Sequence, residues 1–152
     1  MRTLILAAAV LALVPTASAQ NFNLDPNYGT VSLSEGFTPD PFEIGVVGGG
    51  DQAVAASPEC SYGNVSAAPD VRLQYDSSGL SDLFLSVVAD GDTFLLVNLP
   101  DGSWICDDDS FGDLDPVLHI PSAPSGQYDI WIGAFARNAP EGTLYVSEID
   151  PR

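Results

Sequence analysis

The side chains with the clearest chemical potential are aspartates on either side of one short stretch of the chain. Asp107, Asp108 and Asp109 are consecutive, and Asp90 and Asp92 flank a glycine shortly before them. Hard cations such as Ca²⁺ take about six to eight oxygen ligands, which loops dense in Asp supply. These five residues are therefore the candidate calcium ligands, and Ca²⁺ is the candidate cofactor.

The same aspartates also fit a structural interpretation. Asp90-Gly91-Asp92 lacks the later ligands and the closing Glu of an EF-hand, and the nonapeptide calcium repeat is missing. Asp side chains also stabilise turns by hydrogen-bonding the backbone two residues on. From the residues alone, calcium ligands and solvated turns both stay open.

No catalytic constellation is visible. The single histidine, His119, alternates with apolar residues in a short run, and no Gly-x-Ser-x-Gly elbow is present. Zinc would require further His or Cys ligands close by. Trp104, Trp131 and Tyr128 could stack on a sugar, but their positions on predicted strands favour the core. We therefore expect a protein that is not an enzyme, with no catalytic residues to assign.

The N-terminus predicts export. Arg2 precedes the uncharged apolar stretch Leu4–Val14, and Ala17-Ser18-Ala19 fits a signal peptidase site. The apolar stretch is shorter than the roughly 20 residues of a membrane span. Residues 1–19 are predicted to be a cleavable signal peptide, which leaves no membrane span in the mature chain and a periplasmic or extracellular location.

Export bears directly on the two cysteines, Cys60 and Cys106. An isolated pair in an exported chain most often forms a disulfide, because the compartment is oxidising. A metal pair or a catalytic thiol lacks suitable neighbours, since the chain has no Cys-x-x-Cys motif. The sequence thus predicts a Cys60–Cys106 disulfide.

The charge balance excludes one large class of partner. The formal net charge is −17 at pH 7, the chain contains no lysine, and loss of Arg2 makes the mature chain one unit more negative. Such a surface repels phosphate backbones and anionic membranes. Binding to nucleic acid is therefore not expected, whereas attraction of cations or adaptation to salt fits.

Alternation with period two and frequent Gly and Pro predict an all-β chain. Residues 20–28 are predicted to be a flexible arm, and the short, regularly interrupted strands of residues 29–152 indicate a β-sandwich or barrel. Phe94 to Cys106 reads as a hairpin. Tyr128–Phe135 is predicted to be a central strand with Gly142–Ser147 as its antiparallel neighbour. The predicted strands are Thr30–Leu33, Phe42–Val47, Val71–Tyr75, Leu83–Val88, Phe94–Asn98, Ser103–Cys106, Val117–Ile120, Tyr128–Phe135 and Gly142–Ser147.

A series of short motifs runs through the second half of the chain in the order Asp-Thr-x-Leu, Pro-Asp-Gly, Asp-Asp and Gly-x-Tyr-x-Ile-Trp-Ile-Gly. The stretches that carry the series are Ala68–Leu73, Asp92–Asn98, Pro100–Asp109, Ser125–Gly133 and Leu144–Glu148. This series resembles the bacterial pre-peptidase C-terminal domain, a secreted β-sandwich module. The resemblance covers about two thirds of the mature chain, and the cysteine pair fits the module.

The resemblance implies that residues 29–152 form a single antiparallel β-sandwich of jelly-roll-like type. It also implies a non-catalytic accessory or binding domain. Modules of this kind usually accompany secreted proteases, and here no protease domain precedes the module. The expected partner is an unidentified protein, matrix or glycan component outside the cytoplasm. Two other functions stay open: a calcium-stabilised structural or assembly subunit, and a small secreted hydrolase.

Overall fold

The computed structural model describes residues 20–112, 114–135 and 139–152. The predicted signal peptide, residues 1–19, lies outside the described residues. Within the described ranges, the chain forms eleven strands and a single 3₁₀ turn at Pro58–Cys60. The strands are β1 (Thr30–Ser34), β2 (Phe42–Val47), β3 (Gln52–Ala53), β4 (Asn64–Val65), β5 (Val71–Asp76), β6 (Leu83–Ala89), β7 (Thr93–Asn98), β8 (Trp104–Asp107), β9 (Val117–Ile120), β10 (Gly126–Ala134) and β11 (Glu141–Ser147).

These strands form two sheets. In sheet B the order is β2-β11-β6-β9. Sheet A is built around β10, which pairs with β5, β7 and β4; β1, β8 and β3 lie outside these at its edges. The predicted β-sandwich is confirmed, and one pairing departs from the antiparallel rule, because β1 runs parallel to β5.

The main core lies between the sheets and follows from the alternation of side chains along each strand. Val71 and Leu73 of β5 face Leu144 and Val146 of β11, and all four side chains are fully buried. Full burial of an aliphatic side chain stabilises the fold by about 1.5–3 kcal/mol. The positions between them point out of the sandwich, and these outward positions form the surfaces considered below.

A second, smaller core covers part of the outer face of sheet A. Residues 48–66, here called the flap, pack Val54, Cys60 and Val65 over Phe94 and Trp131 of the sheet. Gly133 makes this packing possible: a Cβ at that position would lie 1.9 Å from the ring of Phe94. Sheet A is therefore buried on both faces beneath the flap.

The hairpin and the central strand predicted from sequence are confirmed. β7 and β8 pair antiparallel, and β10 lies between β5 and β7. The predicted pairing of Gly142–Ser147 with Tyr128–Phe135 is wrong: β11 belongs to sheet B, between β2 and β6. The chain changes sheets between the two strands, and local alternation does not specify the sheet in which a strand pairs.

The predicted N-terminal arm, residues 20–28, lies against sheet A. Arg72 of β5 donates hydrogen bonds to the Phe22 carbonyl oxygen and, through Nε at 2.7 Å, to Asp129 Oδ1. Asn27 donates to Asp70 Oδ1 at 2.9 Å. These bonds attach the arm to the sandwich, while its flexibility in solution stays a prediction.

Candidate functional site

The two cysteines form the predicted bond. Cys60 ends the 3₁₀ turn of the flap and Cys106 lies on β8, and their Cα atoms are 5.8 Å apart in the Cys60–Cys106 disulfide. The disulfide prediction is confirmed. The bond fastens the flap to the edge of sheet A.

Two of the candidate calcium ligands serve the fold. Asp107 Oδ2 accepts hydrogen bonds from the backbone N–H groups of Ser110 at 3.1 Å and Val117 at 2.8 Å. Asp90 Oδ1 accepts from the backbone N–H of Glu141 at 2.9 Å. Both carboxylates therefore stabilise turns beside the strands, as the structural interpretation expects.

The other candidate ligands lie close to Asp107. Desolvation raises the pKa of the Asp109 carboxyl, and the negative charges of Asp108, Asp92 and Asp107 raise it further. Within the part of the chain that the structure describes, no group of three or more His, Cys, Asp and Glu side chains is arranged to hold a metal ion. Calcium binding at these aspartates stays a prediction.

His119 forms a surface pair with an acid. Its Nε2 lies 2.8 Å from Asp82 Oδ2, and its ring stacks on Phe84 with centroids 4.6 Å apart. A hydrogen bond from the Ser122 backbone N–H, followed by the one from His119, lowers the pKa of Asp82. Among residues 20–112, 114–135 and 139–152, no serine hydroxyl is hydrogen-bonded to the His119 ring. This pair lacks the nucleophile of a catalytic triad.

The aromatic candidates divide between core and surface. Trp131 and Tyr128 are fully buried, in agreement with the core interpretation. Trp104 is half-buried and packs beside Trp131 with ring centroids 5.3 Å apart. Trp104 therefore covers the small core beneath the flap and leaves one side exposed to solvent.

A concave surface lies on the outer face of sheet B, and we call it the outer-face pocket. Its volume is about 290 Å³. The floor is made by the outward side chains of adjacent strands, Ser86 and Val88 of β6 and Tyr145 and Ser147 of β11. Its walls come from the β1–β2 connection, the β8–β9 connection and the residues that follow β11, and they are formed by Asp40, Pro41, Phe111, Ile149, Asp150 and Pro151.

The pocket is open because the two outer faces of the sandwich are covered to different extents. The flap and the N-terminal arm cover much of sheet A, whereas the pocket side chains of sheet B stay partly open. Val88 is 42% exposed and Ile149 is 65% exposed, which is high for apolar side chains that lie together. Clusters of exposed apolar side chains that are surrounded by polar ones are typical of interaction sites.

One carboxylate that lines the pocket is held in place by hydrogen bonds from neighbouring groups. Asp40 accepts hydrogen bonds from Ser147 Oγ at 2.6 Å and from the Glu148 backbone N–H at 3.2 Å. Asp150, the other acid of the lining, pairs with Arg152 at 2.9 Å. Among the described residues no Arg or His side chain pairs with Asp40.

Sequence reasoning did not identify this site. The alternation in the predicted strands Leu83–Val88 and Gly142–Ser147 carried a partial signal, because it puts Ser86 and Val88, and likewise Tyr145 and Ser147, on the face opposite to the core. It did not show that β6 and β11 are neighbours or that this face is left open. Asp40, Phe111 and Ile149 lie far apart in sequence, and only the fold brings them together.

Comparison with known proteins does not assign the chain to a family. No protein-family model, no curated protein and no solved structure matches it. Among the described residues no helix is long and apolar enough to cross a membrane. The resemblance to the pre-peptidase C-terminal domain stays a prediction.

Proposed function

We propose that this chain is an exported, non-catalytic binding domain of the pre-peptidase C-terminal type that recognises a protein partner in the periplasm or outside the cell. The observation that carries the proposal is the outer-face pocket, a cavity with exposed apolar walls on the open side of the sandwich. The binding surface is formed by sheet B, and sheet A with its flap supports it.

The location part of the proposal is supported by two features. The chain has a signal-peptide pattern before residue 20, and it has a disulfide between Cys60 and Cys106. Disulfides form and persist mainly in oxidising compartments such as the periplasm and the extracellular space. The two features support the same location independently.

The binding part is supported by the size and lining of the pocket. Ligand pockets commonly measure about 300–1,000 Å³, so a cavity of about 290 Å³ suits a single side chain of a partner. Covering Val88 and Ile149 removes apolar surface from water, which contributes about 25 cal/mol per Å². A glycan would need more hydrogen-bonding groups than the few polar atoms of this lining.

The non-catalytic part is supported by the surroundings of His119. Its pairing with Asp82 is exposed to solvent, and neither residue lines the outer-face pocket. The pocket itself combines carboxylates, serines and one tyrosine without a histidine or a cysteine. Ser147 Oγ donates to the Asp40 carboxylate, and the lining holds no histidine or lysine to activate this serine as a nucleophile.

The experiment is a selection of random displayed peptides on the wild-type protein, followed by affinity measurement on variants. We expect selected peptides to lose at least tenfold in affinity for Val88→Lys, because the new ammonium enters the apolar wall. The matched control is Gln74→Lys, which adds the same charge to β5 on the outer face of sheet A. Circular dichroism verifies that both variants fold.

Two results would contradict the proposal. Selection could yield no peptide whose binding depends on Val88, which would remove the pocket as a binding site. Alternatively, turnover of casein or simple esters that disappears in His119→Ala would show that the domain is an enzyme.

A further inference from the structure

The outer-face pocket combines an apolar interior with an unneutralised acid, and this combination defines a narrow class of ligand. Tyr145, Phe111 and Val88 supply aromatic and aliphatic surface, while Asp40 supplies a carboxylate at the rim. An apolar ligand alone would leave Asp40 less solvated and without a partner. Removing an unpaired charge from water carries a large free-energy cost, so a complementary ligand brings a positive charge to Asp40.

Asp40 is positioned in advance for such a contact. Each of its oxygens already accepts one hydrogen bond, from Ser147 Oγ and from the Glu148 backbone N–H. A carboxylate has about four lone-pair sites, so both oxygens can accept again. The existing bonds hold the side chain in one orientation and thereby reduce the entropy lost when a ligand binds.

The net negative charge of the protein also favours a cationic ligand. The formal net charge is −17 at pH 7, so the surface attracts cationic partners and repels anionic ones over about a Debye length. Asp150, at the other rim, is already paired with Arg152. Asp40 is therefore the lining carboxylate left to receive a cation from a partner.

The shape of the lining distinguishes between the two long cationic side chains. Arginine has an apolar stem, and its planar guanidinium stacks on aromatic rings and binds carboxylates with two parallel hydrogen bonds. Lysine has a compact, strongly hydrated ammonium that gains less from an aromatic wall. Tyr145 and Phe111 provide aromatic surface in the same cavity as the Asp40 carboxylate.

We propose that the outer-face pocket binds an arginine side chain of a basic segment in the partner protein, with the guanidinium at Asp40 and the stem against Tyr145, Phe111 and Val88. This inference rests on the proposed function, whose binding site it uses. It adds the chemical identity of the group that enters the pocket.

The test is a titration of the ¹⁵N-labelled protein followed by amide chemical shifts. The probe is Nα-acetyl-arginine methylamide; the comparison compounds are the citrulline, norleucine and lysine analogues. Citrulline keeps the shape of arginine without the charge, and norleucine keeps only an apolar stem. We expect arginine to shift the amides of Ser86, Val88 and Tyr145 and to bind at least tenfold more tightly than citrulline. The difference should shrink as NaCl is added.

Two variants test whether the Asp40 carboxylate causes the preference for arginine over citrulline. Asp40→Asn keeps an acceptor for Ser147 but removes the charge, and it should abolish the preference for arginine over citrulline. Asp51→Asn is the matched control, because it removes one exposed charge from the flap on the other sheet and should leave the preference unchanged.

Each contrary outcome has a distinct meaning. Citrulline or norleucine binding in the pocket as tightly as arginine overturns the inference and leaves the proposed function intact. Equal affinity for the lysine analogue overturns the assignment to arginine. Absence of shifts at the pocket with all four compounds overturns the inference, and the peptide selection then decides separately whether the pocket binds a partner.

Discussion

Removing the disulfide between Cys60 and Cys106 should cost this domain a large part of its stability. The two residues are separated by 46 positions, and closing a loop of that length contributes about 4 kcal/mol in the chain-entropy model. Stability changes of this size shift the melting temperature of a domain by roughly 10 °C or more. The Cys60→Ala/Cys106→Ala variant should therefore unfold at clearly lower temperature and urea concentration than the wild type.

The disulfide should also restrain local opening of the flap. The flap contributes only two-residue strands to sheet A, and the cluster beneath it is small compared with the core between the sheets. Segments with few buried contacts open locally at lower free energy than the core. Without the disulfide, the Val54 amide, which donates to the Gly63 carbonyl, should exchange through local opening of the flap, at a lower free energy than the amides of β10, which require global unfolding.

The measurement is urea unfolding at equilibrium combined with hydrogen exchange by mass spectrometry. Wild-type protein reduced with dithiothreitol is the matched control, and it should behave like the double variant. A loss of stability below about 1 kcal/mol would refute the chain-entropy estimate, since that model gives about 4 kcal/mol. An equal free energy of exchange for the flap and for β10 in the double variant would refute the local role of the bond.

Three further predictions follow from the packing and the carboxylates. Gly133→Ala should lower the free energy of unfolding in urea by at least about 2 kcal/mol, because overpacking against Phe94 costs about 1–3 kcal/mol or more. Gly45→Ala is the control and should change the stability little, because a Cβ at that position meets no atom within 4 Å. Equal losses of stability in the two variants would contradict the packing argument. Burial raises the pKa of Asp70 to about 6, against hydrogen bonds that lower it. The stabilising effect of its protonated form is therefore complete below pH 3.8 and is lost as the pH rises through about 6. The stability of Asp70→Asn relative to wild type should consequently rise by up to about 3 kcal/mol between pH 4 and pH 7, and a constant difference would contradict this sign. Calcium ligation by Asp107–Asp109 should raise the melting temperature in millimolar CaCl₂ but not in MgCl₂, whereas equal melting in CaCl₂ and chelator would reject the calcium prediction.

The amino-acid sequence by itself determined the local structure and the chemical character of this protein. Alternation along segments such as Val71–Tyr75 and Leu83–Val88 depends only on the two-residue period of a strand, and the structure has strands there. Turn residues between Leu99 and Ser103 placed the hairpin of β7 and β8. With only Cys60 and Cys106 available, the disulfide had one possible pairing, and the net charge of −17 follows from composition without reference to the fold.

The tertiary structure decided which strands are neighbours and which faces are covered. The alternation in β11 is compatible with either sheet, and it was assigned wrongly from sequence because pairing depends on contacts between distant segments. The burial of Asp70 likewise depends on Asn27, Ser66 and Ile132, which surround it only in the folded chain.

The outer-face pocket is the clearest case of a feature that only the fold created. The strand pattern placed Val88 and Tyr145 on outward faces, but it did not make them neighbours. Asp40 lies between β1 and β2, and Ile149 follows β11. Both line the same cavity because the registers of β2, β6 and β11 bring these segments together. Local residue patterns determine the period and polarity of each strand, whereas a cavity depends on how the strands and loops are arranged in three dimensions.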